Sequence, residues 1–564
     1  MAATAPTKSL PALPNAKGAQ GASGSRAPDL AHFRRLYPET VASFGALPRR
    51  EEWLRRIWSL EAEWRAGWET RGGARAERES VVRGAPPREP EGEFDVVYAG
   101  GAAALLHAAA LACVHGRRAL VVGGARAEGE AGGVWNLSQD EVKELEAAGV
   151  FTPEEVGAAV LNRYYGGFVK FHDAASRVKA GPLWVSGAFD VALDGGRLTA
   201  LAAARLAGPG AKGCAVMREL RFVRAYVEPR RVTVEAEGPG GARRFFAAQL
   251  FADASGADSP VARQLNGGGS SASRVRPSVG TVARGFARGV GRDEADFQAA
   301  EILVTTEDAS AHRQLLWEGF SGDAARGEYT TRLFFHDAAD SPADKSLLAL
   351  FERYFESLPA YKRRGAGWRV ERPVFDYAHA PREGWRGRRR VASERVMLLG
   401  EAACGAEAGA LAASRGAGAA ARELRRVARL TERALATGAA DASALAEVCE
   451  GPGGARVARA LGLAEFMRPA AGGAPHAVNE TLNALAAAMG GMDESERSEV
   501  FRGQVSAGAL RRLLARTARL YPRIFARVRE RFGARGALCW VAGLAEAAWK
   551  DGGRAKDERE KDER

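Results

Sequence analysis

The chain has 564 residues, 46% hydrophobic and 27% charged, with a formal net charge of +12. That length and balance fit a globular protein of two or three domains with a sizeable core. No run of about 18 apolar residues occurs, because the alanine-rich segment after Gly101 is broken by His107, His115 and Arg117, so no membrane-spanning helix is expected. The arginines are scattered among acids and alanines rather than gathered with aromatics, which argues against a nucleic-acid partner.

In chain order, residues 1–28 are rich in Ala, Ser, Pro and Gly, carry only basic charges and lack a secretory apolar core; they read as a transit peptide or disordered leader. Residues 29–72 read as a helical extension, with Trp53, Ile57, Leu60, Trp64 and Trp68 at three- and four-residue intervals. A tryptophan stripe of this kind reads as a docking face, for the protein's own body or for a membrane or protein complex. Residues 73–93 form a charged Pro/Gly linker.

A new domain opens at Phe94 with βαβ grammar: a strand to Ala99, a helix from Ala102 to His115 and a strand from Arg118 to Val122. Ser138 with Glu141, and Thr152 with Pro153 and Glu155, each open a short helix through capping chemistry. The first domain is expected to run over 94–275, a strand-rich region over 276–391, and a return to the first domain over 392–425. A helical region over 426–550 and a charged tail over 551–564 complete the chain. Near its end, Leu538, Trp540, Val541 and Leu544 are expected to face the main body, with a membrane surface as the other reading. The five cysteines lie far apart without CxxC spacing, so neither a zinc site nor a disulfide framework is expected.

Three separated stretches share one design, a hydrophobic strand running into a small-residue turn: "FDVVYAGGAAA", "QLFADASGADSPV" and "RVMLLGEAACGAEA". Small residues let backbone N–H groups and a helix N-terminus approach a pyrophosphate. In this order the three stretches resemble the FAD-dependent oxidoreductases of the aromatic-hydroxylase type. With "WNLS" (Trp135 to Ser138) and "VARGF" (Val282 to Phe286), the chain is most similar to the chloroplast lycopene beta/epsilon cyclase-like proteins of plants and algae.

The resemblance implies an α/β chain: a three-layer, Rossmann-like FAD-binding fold with an inserted strand-rich substrate domain and a helical C-terminal region. It implies FAD as cofactor, with Gly100, Gly101 and Ala102 at the pyrophosphate, Asp253, Gly256, Ser259 and Pro260 in the second contacting turn, and Gly400, Glu401 and Gly405 in the third. Glu401 stands where the family usually has an aspartate. Departures are Ala102 and Leu105 in place of the fingerprint's later glycines, and Gly123 where a carboxylate normally holds the adenosine ribose, with Glu128 and Glu130 the nearest substitutes.

By the same resemblance the substrate is an apolar isoprenoid such as a carotenoid, in a plastid, and cyclisation needs an acid to protonate a double bond. The family's paired glutamates are replaced here by His336 and Asp337, and Glu318, beside Trp317 and Leu316, is a third candidate because desolvation favours a protonated carboxyl. Two other readings stand beside this one. One is an FAD monooxygenase; the other is a catalytically degenerate structural or assembly partner of a photosynthetic membrane complex, favoured by the eroded glycines, Gly123 and the tryptophan stripe.

Overall fold

The computed structural model describes residues 28–72, 79–123, 133–256, 259–266, 274–341, 343–380, 389–404, 416–451 and 453–562. A nine-stranded sheet carries the order Val81–Arg83, Arg221–Val227, Val232–Glu237, Arg243–Ala254, Glu93–Gly100, Ala119–Val122, Ala215–Met217, with Val396–Leu398 and its hairpin partner Ala392–Ser393 attached to Arg243–Ala254. Val96, Val97 and Tyr98 are fully buried, as a parallel strand covered on both faces must be.

The alanines of the helix Ala102–His115 let it lie close on this sheet, and Gly116 ends it in the left-handed conformation at φ 66°. Helices Gly195–Ala207 and Gly416–Thr437 pack beside it.

A second sheet of eight strands runs Asp337–Ala338, Arg274–Phe286, Tyr329–Phe334, Leu316–Ser321, Ala300–Val304, Gly167–Lys170, Leu183–Val185, with Arg364–Ala380 paired to Arg274–Phe286. Its central strands are buried throughout. One face meets the helix Leu347–Tyr361 and the N-terminal helices; the other meets the C-terminal helices. Two of its strands, Gly167–Lys170 and Leu183–Val185, come from the span 94–275, and Arg274–Phe286 straddles the expected boundary at 276. The sequence division into first and second domain therefore does not follow the sheets. A small third sheet joins Val134–Leu137, Val191–Asp194 and Val160–Arg163.

Both capping boxes form as the spacing predicts, at Ser138 and at Thr152. The tryptophan-bearing helix Arg50–Gly72 docks on the chain itself: Leu54 and Ile57 are fully buried, and Trp64 stacks on Tyr377 at 4.8 Å and 15°. The Trp68 side chain lies outside the described residues. At the C-terminus, Trp540 and Leu544 are buried as expected, whereas Leu538 and Val541 face outward.

Candidate functional site

Four strands end together. Ala99 pairs with Asp253 and with Val122, and Asp253 pairs with Leu398, so the carboxyl ends of four parallel strands lie side by side. In an open α/β sheet the crevice beyond such ends is where ligands bind.

Close approach there dictates glycine. At Gly100 (φ +132°) a Cβ would sit 2.2 Å from the carbonyl oxygen of Ala254, a distance no side chain tolerates, and the positive φ excludes L residues independently. Gly400 (φ +56°) lies over the first helical turn, where its Cβ would come within 3.3 Å of the Ala103 Cβ. Gly256 (φ +103°) faces Glu401, whose Oε2 is 3.9 Å from the corresponding position. The three turns found in the sequence thus converge.

Gly101 is the N-cap of the helix and supplies no side-chain cap, so the first-turn N–H groups of Ala102 and its neighbours have no intrahelical acceptor. Leu105 is fully buried in the sheet–helix core, which accommodates the larger side chain where the fingerprint has glycine. Glu401 is exposed at the start of the short helix Glu401–Cys404, and Arg389 donates to the Ala402 carbonyl at 2.8 Å. Gly405, Glu128 and Glu130 lie outside the described residues.

Asp253 differs from the expectation. Its carboxylate is wholly buried and accepts from the Ser255 N–H at 2.8 Å, the Ser255 hydroxyl at 2.6 Å and the Ser259 hydroxyl at 2.5 Å, while its carbonyl accepts from Leu399 N–H at 2.8 Å. Burial pushes its pKa up against the pull of the two serines. Ser259 also caps the helix that Pro260 opens, accepting from Ala262 N–H at 2.8 Å. Asp253, Ser255 and Ser259 therefore form an internal clamp that shapes the turn, and the carboxylate faces the protein interior rather than a ligand.

The three acid candidates do not form one site. Glu318 is fully buried in a central strand, paired with Arg332; by strand alternation it shares a face with Leu316 and Phe320, toward the Tyr164 side of the core. His336 lies four residues beyond Arg332, on the order of 13 Å along the strand direction. Burial lowers the His336 pKa well below its usual value, and Arg276, Arg274 and Arg468 lower it further. It is a neutral imidazole in a positive environment and a poor proton donor. Asp337 is held by the Ser341 hydroxyl, by Ala338 N–H at 2.8 Å and by Lys345 at 3.3 Å, as a structural anion. The arginines around His336 come from two distant parts of the chain, the strand Arg274–Phe286 and Arg468, which is why sequence proximity pointed to catalysis instead.

Solved structures share this fold. The halogenase PltM aligns with a TM-score of 0.51 at 13% identity, over 81% of this chain and 96% of that one. PltM in complex with phloroglucinol and FAD gives 0.50 at 14%, over 82% and 96%. A geranylgeranyl bacteriochlorophyll reductase-like protein from Thermoplasma acidophilum gives 0.47 at 14%, over 78% and 99%. No protein-family model and no curated protein matches the chain. The fold is therefore the one that the halogenase PltM has, a protein also solved with FAD bound.

The residues fit one end of that cofactor. The uncapped first turn after Gly101 and the small turn at Gly400 suit a diphosphate. At the adenosine end, Gly123 (φ +84°) offers no carboxylate.

Proposed function

We propose that the chain is an FAD-binding protein of the lycopene cyclase-like type, acting on a carotenoid or other apolar isoprenoid in a plastid. The observation that carries the cofactor half is the convergence of Gly100, Gly256 and Gly400 on an uncapped helix N-terminus. The substrate and compartment rest on the resemblance of "WNLS", "VARGF" and the leader's composition.

Bound FAD would supply two-electron redox chemistry and a reduced, electron-rich ring. The chain's own part begins with backbone N–H groups of the Ala102 turn holding the diphosphate. Glu401 lies over the Gly256 turn, where its carboxylate would orient the ribityl hydroxyls. Among the acid candidates, the arginines around His336 and the partners of Asp337 argue against those two, and Glu318 would hold the proton within the second sheet.

A second reading is favoured by Asp253 and Gly123: a descendant that keeps the fold as an assembly partner while its cofactor contacts have been lost. The purified protein separates the two. Flavin absorption bands with FAD released on heating are the expected result, and a colourless protein that fails to bind added FAD overturns the enzyme reading. Supplying lycopene under reducing conditions then tests the substrate alone, an unchanged carotenoid profile counting against it.

A further inference from the structure

Between Ala507 and Arg535 the chain has nine arginines and a single acid, Glu530. Three of the nine are taken up in the fold: Arg512 by Glu496, Arg527 by Glu480 and Glu530, Arg531 by Glu465. The other six, Arg511, Arg516, Arg519, Arg523, Arg529 and Arg535, are exposed and make no ion pair among the described residues. Charge of this density and sign, left uncompensated, attracts an anionic surface.

The same segment exposes large apolar side chains. Five of the ten exposed large hydrophobics among the described residues fall between Leu520 and Trp549, with Phe525 at 67%, Leu538 at 73% and Trp549 at 78% exposure. The pattern is helical. In Ala507–Leu520, Leu510, Leu513 and Thr517 face the core, while Arg512, Arg516, Arg519 and Leu520 line the outer face.

After the kink at Gly533, Trp540, Leu544 and Ala547 face inward and Leu538, Val541, Ala542, Ala545 and Trp549 form an outward stripe. The second helix is thus apolar on both sides, which a water-facing surface does not require. The helices Ala507–Leu520 and Ile524–Asp562 are in contact, and the exposed arginines and the apolar stripe follow one another along the chain between Arg511 and Trp549.

We infer that this C-terminal surface binds the face of an anionic lipid bilayer peripherally: the unpaired arginines meet headgroup phosphates and Phe525, Leu538, Val541 and Trp549 enter the interfacial layer. No described helix is long and apolar enough to cross a membrane, so the contact is in-plane. Nucleic acid fits less well. Phosphates would use the arginines, but a Leu–Val–Ala–Ala–Trp stripe gains nothing from a charged backbone. The N-terminal tryptophan helix cannot offer the same surface, because its Leu54 and Ile57 are buried against the second sheet and its helix and its Trp64 is stacked on Tyr377.

The test is co-sedimentation of the full chain with vesicles of phosphatidylcholine alone or with a third phosphatidylglycerol. At low salt we expect at least tenfold tighter binding to the anionic vesicles, weakened by raising ionic strength. Arg519→Glu/Arg523→Glu/Arg529→Glu should abolish it, and Leu538→Ser/Trp549→Ser should reduce the salt-resistant part, both with unchanged circular dichroism and melting. The charge-matched control Arg83→Glu/Arg221→Glu/Arg230→Glu, on two strands and a hairpin turn of the first sheet, should bind as the parent does. Equal binding to neutral vesicles, no binding to either, or equal loss in the control overturns the inference. So does a dimer in light scattering that Leu538→Ser/Trp549→Ser dissociates without affecting sedimentation, or binding to duplex DNA tighter than to the anionic vesicles.

Discussion

His107 lies in the middle of an apolar helix at 3% exposure, edge-on to the Tyr98 ring at 5.4 Å, with Nε2 3.4 Å from the Thr431 hydroxyl. Burial lowers its pKa from 6.5 to about 4. The unfolded chain takes up this proton below about pH 6.5 and the folded chain only near pH 4, so His107 leaves stability intact above pH 6.5 and subtracts from it as pH falls through that window. The full loss is about 3 kcal/mol. Urea unfolding at pH 7.5 and pH 4.5 should show a fall in the parent that His107→Phe reduces by about that amount; parallel slopes in the two proteins would contradict it. Asp253 makes a different prediction. Asp253→Ala leaves the Ser255 and Ser259 donors without their buried acceptor and should cost about 2–4 kcal/mol in urea unfolding, with Asp253→Asn recovering part. A side chain serving only as a cofactor ligand would instead lower flavin content at unchanged stability.

At the scale of elements, the fit of strand Glu93–Gly100 against Arg243–Ala254 rests on the missing Cβ at Gly100. Gly100→Ala places a carbon 2.2 Å from a carbonyl oxygen that two paired strands hold in place, and should cost about 1–3 kcal/mol, seen as a lower denaturation midpoint. Gly116→Ala, where no atom lies within 4 Å of the added carbon, meets only the φ penalty and should cost less. These local features were legible in the sequence: the strand–glycine–helix run, the capping boxes at Ser138 and Thr152, and the small-residue turns at Gly256 and Gly400 each depend on neighbours within a few residues. What depended on distant partners was not. Gly167–Lys170 reads as a fragment of the first domain, yet pairs with Ala300–Val304, more than a hundred residues on. Asp253 has the right residue type and position for a ligand, but side-chain direction comes from the Ser255 and Ser259 hydroxyls. His336 and Asp337 read as a proton-transfer pair until Arg274, Arg276, Arg468 and Lys345 are brought beside them.

Across the whole molecule, the N-terminal extension belongs to the core of the second sheet. Phe33, Phe44, Leu54 and Ile57 are fully buried in one cluster with Trp317, Leu333, Phe351 and Tyr354. Polar contacts fix the same arrangement. Glu352 accepts from Glu39 N–H at 2.9 Å and from the Thr40 hydroxyl at 2.8 Å, and the buried Glu61 accepts from Ser346 at 2.9 Å. Each fully buried apolar side chain contributes about 1.5–3 kcal/mol, so removing residues 1–72 strips more stabilisation than a marginally stable domain holds in reserve. A chain lacking residues 1–72 should therefore melt well below the parent or aggregate through the uncovered face of the helix Leu347–Tyr361. Differential scanning fluorimetry with a solubility assay decides it. A docking arm meant for another protein would come away with the melting temperature unchanged, and that result would return the tryptophan helix to the role its spacing first suggested.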